Sequence, residues 1–116
     1  MNTYKASQKN SSQFIVSKKQ VSKNKTLKTS ILYNKIESNL NSSLSFYKNS
    51  SSLSFKSIEF DILKKAYLND KLIIKNNIKK LSDTEIILNI TVSKKEEKHQ
   101  NIICKAVFGY SFQKAS

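Results

Sequence analysis

Few side chains in this sequence could carry nucleophilic or metal chemistry. The sole histidine, His99, stands in the polar stretch Lys94–Asn101, and the sole cysteine, Cys104, stands in an alternating apolar run. A Ser-His or Cys-His mechanism would have to run through His99, which has no suitable setting, so that class is set aside. A metal site is not expected either, because His99 has no second histidine or nearby cysteine to complete a ligand set. Cys104 reads as a buried packing residue, and a single cysteine cannot close an internal disulfide, which fits a reducing compartment. What remains is carboxylate and hydroxyl chemistry, for which spacing alone singles out no one Asp, Glu, Ser or Thr. A carboxylate can act as a general base when partial burial lifts its pKa toward the working pH. From spacing alone Glu37 is a solvated charge on a helix face, paired with Lys35 or Lys48. Ser22 and Ser54 are ordinary turn and strand residues, and Asp70 orders a loop.

The elements that must position these groups follow from the apolar periods. Residues 1–12 are polar and expected to fray, leaving one domain over 13–116. Gln13–Val21, with Phe14, Ile15, Val16 and Val21, predicts a first strand. Leu27, Ile31, Ile36, Leu40 and Leu44 then recur near the helical period, with Leu32 and Tyr47 widening the stripe. The spacing predicts one helix over Leu27–Lys48 with Thr26 as its N-cap. Its second half is rich in Ser and Asn, so tertiary packing must hold it. After a turn at Asn49–Ser52, Leu53 and Phe55 alternate in one phase and Ile58, Phe60 and Ile62 in the other, which predicts a β-bulge near Lys56–Ser57. Leu63–Asn69 is a connection. Lys71–Leu81, the run from Ile86 to Val92 and the run from Ile102 to Phe112 predict three antiparallel strands joined by hairpins. The chain is therefore expected to be α+β, with one helix on a strongly twisted antiparallel sheet.

The formal net charge is +13 in 116 residues, and all 21 basic residues are lysine. Proline is absent and glycine occurs once. That profile matches codon bias in an A+T-rich genome and a solvated lysine surface. A nucleic-acid site would use arginine for bidentate and stacking contacts, so neither nucleic acid nor membrane is an expected partner. Such a surface still attracts polyanions, including the phosphates of a nucleotide-like molecule. No apolar run reaches the length of a membrane span, and the N-terminus lacks the apolar core of a signal peptide, so a cytosolic location is expected.

Two stretches carry a resemblance to a known family. IEFDILKKAYLNDKLIIKNNIKKLSDTEIILNITV and IICKAVFGYSF resemble the hotdog-fold acyl-CoA thioesterases, and the resemblance extends over Phe14–Phe112. Asp61-Ile62-Leu63-Lys64-Lys65 is similar to the family's Asp-Phe-x-Lys-Pro-like phrase, Asn69-Asp70 to its Gly-Asp, and Ala106, Phe108, Tyr110 and Phe112 to its last strand. The resemblance implies a hotdog fold, in which a curved antiparallel sheet wraps a long central helix. It sets Ser22 on a loop Asn, Lys25 on that loop's Gly, Thr29-Ser30 on a Gly-Gly pair at the helix start, Glu37 on the helix carboxylate and Ser54 on a strand Thr. Of these only the carboxylate is kept in kind.

What the resemblance implies for function is hydrolysis of an acyl-CoA thioester. Glu37 would be base or nucleophile, Ser22 or Ser54 would hold the water, and the N–H groups of Thr29, Ser30 and Ile31 would polarise the carbonyl. Coenzyme A enters as part of the substrate, with no separate cofactor. The family's habit of pairing at the sheet edge implies a homodimer or a higher homo-oligomer. The alternative is a catalytically silent hotdog subunit that binds acyl ligands or a protein partner.

Overall fold

A computed structural model describes residues 9–48, 52–96 and 100–113. The expectations for residues 1–8, for the turn at 49–51 and for His99 lie outside the described residues, as do those for the side chains of Tyr47 and Lys48.

Five strands form one antiparallel sheet in the order β1-β3-β4-β5-β2. They are β1 Lys9–Ile15, β2 Ser52–Ile62, β3 Lys71–Leu81, β4 Glu85–Lys95 and β5 Gln100–Gln113, with one helix, α1 Thr29–Lys48, between β1 and β2. The last three strands lie side by side, as the hairpin spacing predicts. The first strand begins earlier than the apolar pattern suggests. Lys9–Ser12, expected to fray, pair with Ile74–Asn77 of β3, and the strand stops at Ile15. Backbone pairing at a sheet edge needs no apolar side chain, so these polar residues carry no periodic signal. Beyond it Ser17 opens a single 3-10 turn, Lys18–Gln20, in which the Gln20 side chain accepts the Ser17 N–H at 3.0 Å.

The helix starts two residues later than its apolar spacing predicts. Thr26 and Leu27 are drawn into isolated bridges with Tyr67 and Val21, and the Leu27 N–H donates to the Ala66 carbonyl at 2.8 Å. Lys28 rather than Thr26 therefore stands at the cap position, its carbonyl accepting from Ile31 and Leu32, both at 3.1 Å. Within α1 the fully buried stripe is Leu32, Ile36, Leu40 and Leu44, an i+4 ladder. It packs into the hollow of the sheet on residues including Leu72, Ile74, Leu88, Ile90, Ala106 and Phe108. Leu27 and Ile31, expected in the stripe, are only half-buried at its rim.

The phase flip in β2 is a bulge. Phe55 stands opposite Tyr110 and Ser57 opposite Gly109, so Lys56 is the extra residue. Gly109, the only glycine, serves that close approach: a Cβ there would lie 2.7 Å from the Ser57 hydroxyl. The bulge returns Ile58, Phe60 and Ile62 to the face that Leu53 and Phe55 occupy. Because β2 is an edge strand, the helix does not cover that face fully, and Phe55 is 57% and Ile62 41% exposed.

Three loops meet at one end of the sheet. The Asn69 N–H donates to the Val16 carbonyl at 2.9 Å, and the Leu68 N–H to the Lys25 carbonyl at 3.0 Å. Asp70 orders this joint as expected, accepting the Tyr67 N–H at 2.8 Å and pairing with Lys94 at 3.1 Å. Lys25 and Asn69 hold φ of 65° and 74°, the left-handed region that favours glycine. The family resemblance places a glycine at both. Lys25 carries a Cβ penalty that glycine would not. Lys25→Gly is expected to stabilise the fold by about 1 kcal/mol, raising Tm by about 4 °C. A thermal melt showing no rise would contradict this backbone assignment.

Candidate active site

Glu37 lies on the flank of α1 that faces β5 and β2, one turn beyond Tyr33. It is exposed in the single chain. The partial burial expected of a working carboxylate is therefore not supplied by this chain alone. None of the three ion pairs among the described residues involves Glu37. Lys35, considered above as its partner, instead reaches across the helix to lie 5.0 Å above the Phe14 ring.

The surroundings of Glu37 are aromatic. The Tyr33 ring meets Phe60 edge-on at 5.9 Å and Phe108 at 6.3 Å, and Phe55 meets Tyr110 edge-on at 5.8 Å. Burial, then the nearby Glu37 carboxylate, pushes the Tyr33 phenol above its ordinary pKa. Burial pushes Tyr110 up as well, followed by the influence of Tyr33 and Glu37. Both effects have the expected sign, since a neighbouring negative charge and a low dielectric each disfavour phenolate. Sequence reasoning passed over Tyr33. Its signal was the i+4 spacing to Glu37, which brings two side chains together on a helix surface.

The other candidate residues lie apart from Glu37. Ser22 is exposed in a tight turn, where its hydroxyl shares a hydrogen bond with the Thr26 hydroxyl at 3.0 Å and accepts the Asn24 N–H at 3.3 Å. Ser54 sits between Leu53 and Phe55, whose side chains reach the core and Tyr110, so the pleat turns Ser54 to the opposite sheet face. Neither serine stands beside Glu37 in the single chain. At the helix start the Ile31 N–H is already engaged with Lys28, so Thr29 and Ser30 hold the N–H groups left for a ligand. Thr29 lines a cleft of about 210 Å³ with Leu32, Ile62, Lys64, Lys65 and Ile103. From Thr29 to Glu37 the helix rises about 12 Å, and from Ile31 about 9 Å. One reacting carbon cannot touch both groups of the same chain, because oxyanion donors must stand about 3 Å from the oxygen they stabilise.

A second cleft, of about 280 Å³, lies on the far flank between α1 and β1. Its amides and hydroxyls are mutually bonded: Asn39 donates to Ser12 at 2.9 Å, Asn76 donates to Asn39, and Ser43 donates to Asn76 at 3.2 Å. Among the described residues no cluster of His, Cys, Asp and Glu could hold a metal ion. No described helix is long and apolar enough to cross a membrane.

No protein-family model and no curated protein matches the sequence. Solved structures do. A hypothetical thioesterase from Streptococcus pneumoniae, solved with coenzyme A, matches with TM-score 0.77 at 13% identity, over 93% of this chain and 80% of that one. An acyl-CoA hydrolase variant from Staphylococcus aureus matches with TM-score 0.80 at 10% identity, over 93% and 68%. A 1,4-dihydroxy-2-naphthoyl-CoA thioesterase from Synechocystis matches with TM-score 0.73 at 11% identity, over 93% and 84%. The architecture is the hotdog fold that these thioesterases share.

Cys104 is buried as its alternation predicts, and burial, with Asp61 adding to it, pushes its thiol up to about 11. Nucleophilic use of a thiol needs the thiolate, so this group is inert near neutrality. Ellman's reagent at pH 8 is expected to leave the native protein unlabelled and to titrate one thiol per chain in denaturant. Rapid native labelling would refute the burial.

Proposed function

We propose that this chain is an acyl-CoA thioesterase acting as a homodimer, with Glu37 as its acid–base residue. The observation that carries the reading is the placement of one carboxylate on the helix flank beside an uncovered aromatic and aliphatic face. The fold is that of proteins whose names record action on CoA thioesters or the binding of coenzyme A. Hydrolysis forms a bond from water oxygen to the acyl carbon and breaks the carbon–sulfur bond. Glu37 takes the proton that the attacking water loses and returns it to the departing CoA sulfur. The Thr29 and Ser30 N–H groups, at the positive end of the helix, hold the carbonyl oxygen as charge develops on it. Lys64 and Lys65, beside the helix-start cleft, are the cations best placed for the phosphates of coenzyme A.

The separation of Glu37 from its own helix start supports a site made by two subunits. Pairing through the exposed β2 edge would cover Phe55, Ile58 and Ile62, bury Glu37 and bring a second helix to it. Dimer formation would then supply the desolvation that a single chain lacks. The silent-subunit reading is favoured by one observation, the side chains of Thr29 and Ser30 where the family carries glycines. It predicts a folded dimer that binds a non-hydrolysable acyl-CoA analogue without turnover.

An acyl-CoA panel assayed for thiol release separates the two. Glu37→Gln is expected to lower kcat by at least about 100-fold. The substitution keeps the size of the side chain, and circular dichroism and a thermal melt are expected to show the fold retained. Equal, slow hydrolysis by wild type and variant overturns the enzymatic reading. A shared site has its own signature. Glu37→Gln refolded together with Ser30→Trp, each inactive alone, is expected to recover about a quarter of wild-type activity, because half the dimers are mixed and hold one intact site. No recovery in verified mixed dimers would place the site within one chain.

A further inference from the structure

We propose that the loop end of the sheet, where residues 16–28 meet residues 63–71, docks on an anionic lipid bilayer. Such docking does not depend on the thioesterase reading, and activity plays no part in its test.

Composition alone points to no such surface, because lysines spread evenly over a protein favour no partner. The fold does not spread them evenly. Lys18, Lys19, Lys23, Lys25 and Lys28 are all exposed on the first loop. Lys64, Lys65 and Lys71 are exposed along the second. The backbone bonds from Leu27 to Ala66, from Leu68 to Lys25 and from Asn69 to Val16 tie the two loops into one joint. Charges far apart in sequence therefore share one end of the molecule. Among the described residues the acids at this end are Asp61, Asp70 and Glu96, and Asp70 is already paired with Lys94 at 3.1 Å. The opposite end is balanced differently: there Glu85 alone takes two lysines, Lys56 at 3.3 Å and Lys80 at 2.8 Å.

Apolar side chains stand among these cations. Ile15, Leu63 and Tyr67 are 60%, 49% and 48% exposed. Sinking them into a headgroup layer removes apolar surface from water while the ammonium groups meet lipid phosphates. Tyrosine is at home in that layer, and lysine can bury its stem there and keep its charge in water. The same mixture suits nucleic acid poorly. The chain has no arginine, and Tyr67 is the only aromatic residue on the two loops. Single-strand binding relies on several stacked aromatic platforms, and groove reading relies on bidentate arginine. Docking of this kind lies on the bilayer and needs no crossing helix. Each lysine held near an anionic bilayer strengthens binding by roughly fivefold, and salt screens the effect.

The full chain is sedimented with vesicles of mixed phosphatidylcholine and phosphatidylglycerol. It is expected to bind them at about 0.1 M salt and to release at about 1 M, as the Debye length falls from about 10 Å to about 3 Å. Pure phosphatidylcholine vesicles are expected to bind nothing. The variant Lys18→Gln/Lys19→Gln/Lys23→Gln is expected to bind at least about 10-fold more weakly. Lys75→Gln/Lys79→Gln/Lys105→Gln removes the same charge from exposed positions elsewhere on the sheet and is expected to lose less than about threefold. Orientation has its own reporter, because the sequence contains no tryptophan. Tyr67→Trp sets a single fluorophore at the docking end, and Leu81→Trp sets one at the opposite end. On mixed vesicles the emission of Tyr67→Trp is expected to move to the blue and that of Leu81→Trp to stay. Absence of binding to mixed vesicles overturns the proposal. Equal losses in the two triple variants overturn it as well, since net charge then suffices. Bound Tyr67→Trp without a blue shift overturns docking by this end. Tighter binding to polyuridylate than to mixed vesicles, lost in the first triple variant, assigns the loops to nucleic acid and overturns the bilayer.

Discussion

The molecule depends on one contact: the ladder Leu32, Ile36, Leu40, Leu44 seated in the hollow of the sheet. Fully burying such a side chain is worth about 1.5–3 kcal/mol, so four of them rival the whole net stability of a small domain. The second half of α1, rich in Ser and Asn, would not hold as an isolated helix. The sheet therefore makes the helix, and the helix, with the loop residues Val16 and Ala66, gives the sheet its apolar cover. That cover is incomplete at β2, an edge strand whose bulge aims five apolar side chains at the concave face. The contact that forms the core thus also leaves an aromatic and aliphatic opening beside Glu37.

The bearing of that acid is fixed from the opposite flank. Asn39 is two residues, or about 200° of helix rotation, beyond Glu37. It is buried, bonded to Ser12 and joined to the buried Asn76, which also accepts from Ser43. Turning the helix about its axis would unpair these amides inside the protein, at a cost of about 1–3 kcal/mol for each. A smooth leucine ladder alone would tolerate small rotations. The amide cluster acts as a key on one side and so sets which way the opposite flank, with Glu37 on it, faces.

The legible part of this architecture was the part written in apolar periods. The i+4 ladder, the long strands, the bulge at Lys56 and the burial of Cys104 all follow from side-chain alternation, which the core enforces. The elements that were missed are held by backbone groups. Lys9–Ser12 join the sheet through main-chain pairing, and Thr26–Leu27 leave the helix for main-chain bridges to Tyr67 and Val21. Such bonds are available to any residue and leave no trace in composition. The candidate site came from the resemblance as a list of positions and carried no geometry. Family position brought together Glu37, Ser22, Ser54 and the helix start, whereas the helix rise and the strand pleat hold them apart in one chain. Tyr33, one turn before Glu37 on the same helix flank, belongs neither to the apolar stripe nor to the phrases that carry the resemblance.

The two sets of replaced glycines have different physical meanings. Lys25 and Asn69 stand where the family resemblance expects loop glycines, and both keep the left-handed backbone those glycines would adopt. A left-handed backbone at a residue with a Cβ carries local strain. Thr29 and Ser30 stand where a helix-start glycine pair is expected, but their backbone is ordinary helix that any residue adopts. Nothing in the fold asks for glycine there. The N–H groups at the helix start lie beside two exposed side chains. Substitution at the first pair therefore taxes folding, while substitution at the second alters access to the helix start and leaves the core untouched. That asymmetry is compatible with the hotdog architecture at 10–14% identity to the solved structures that share it.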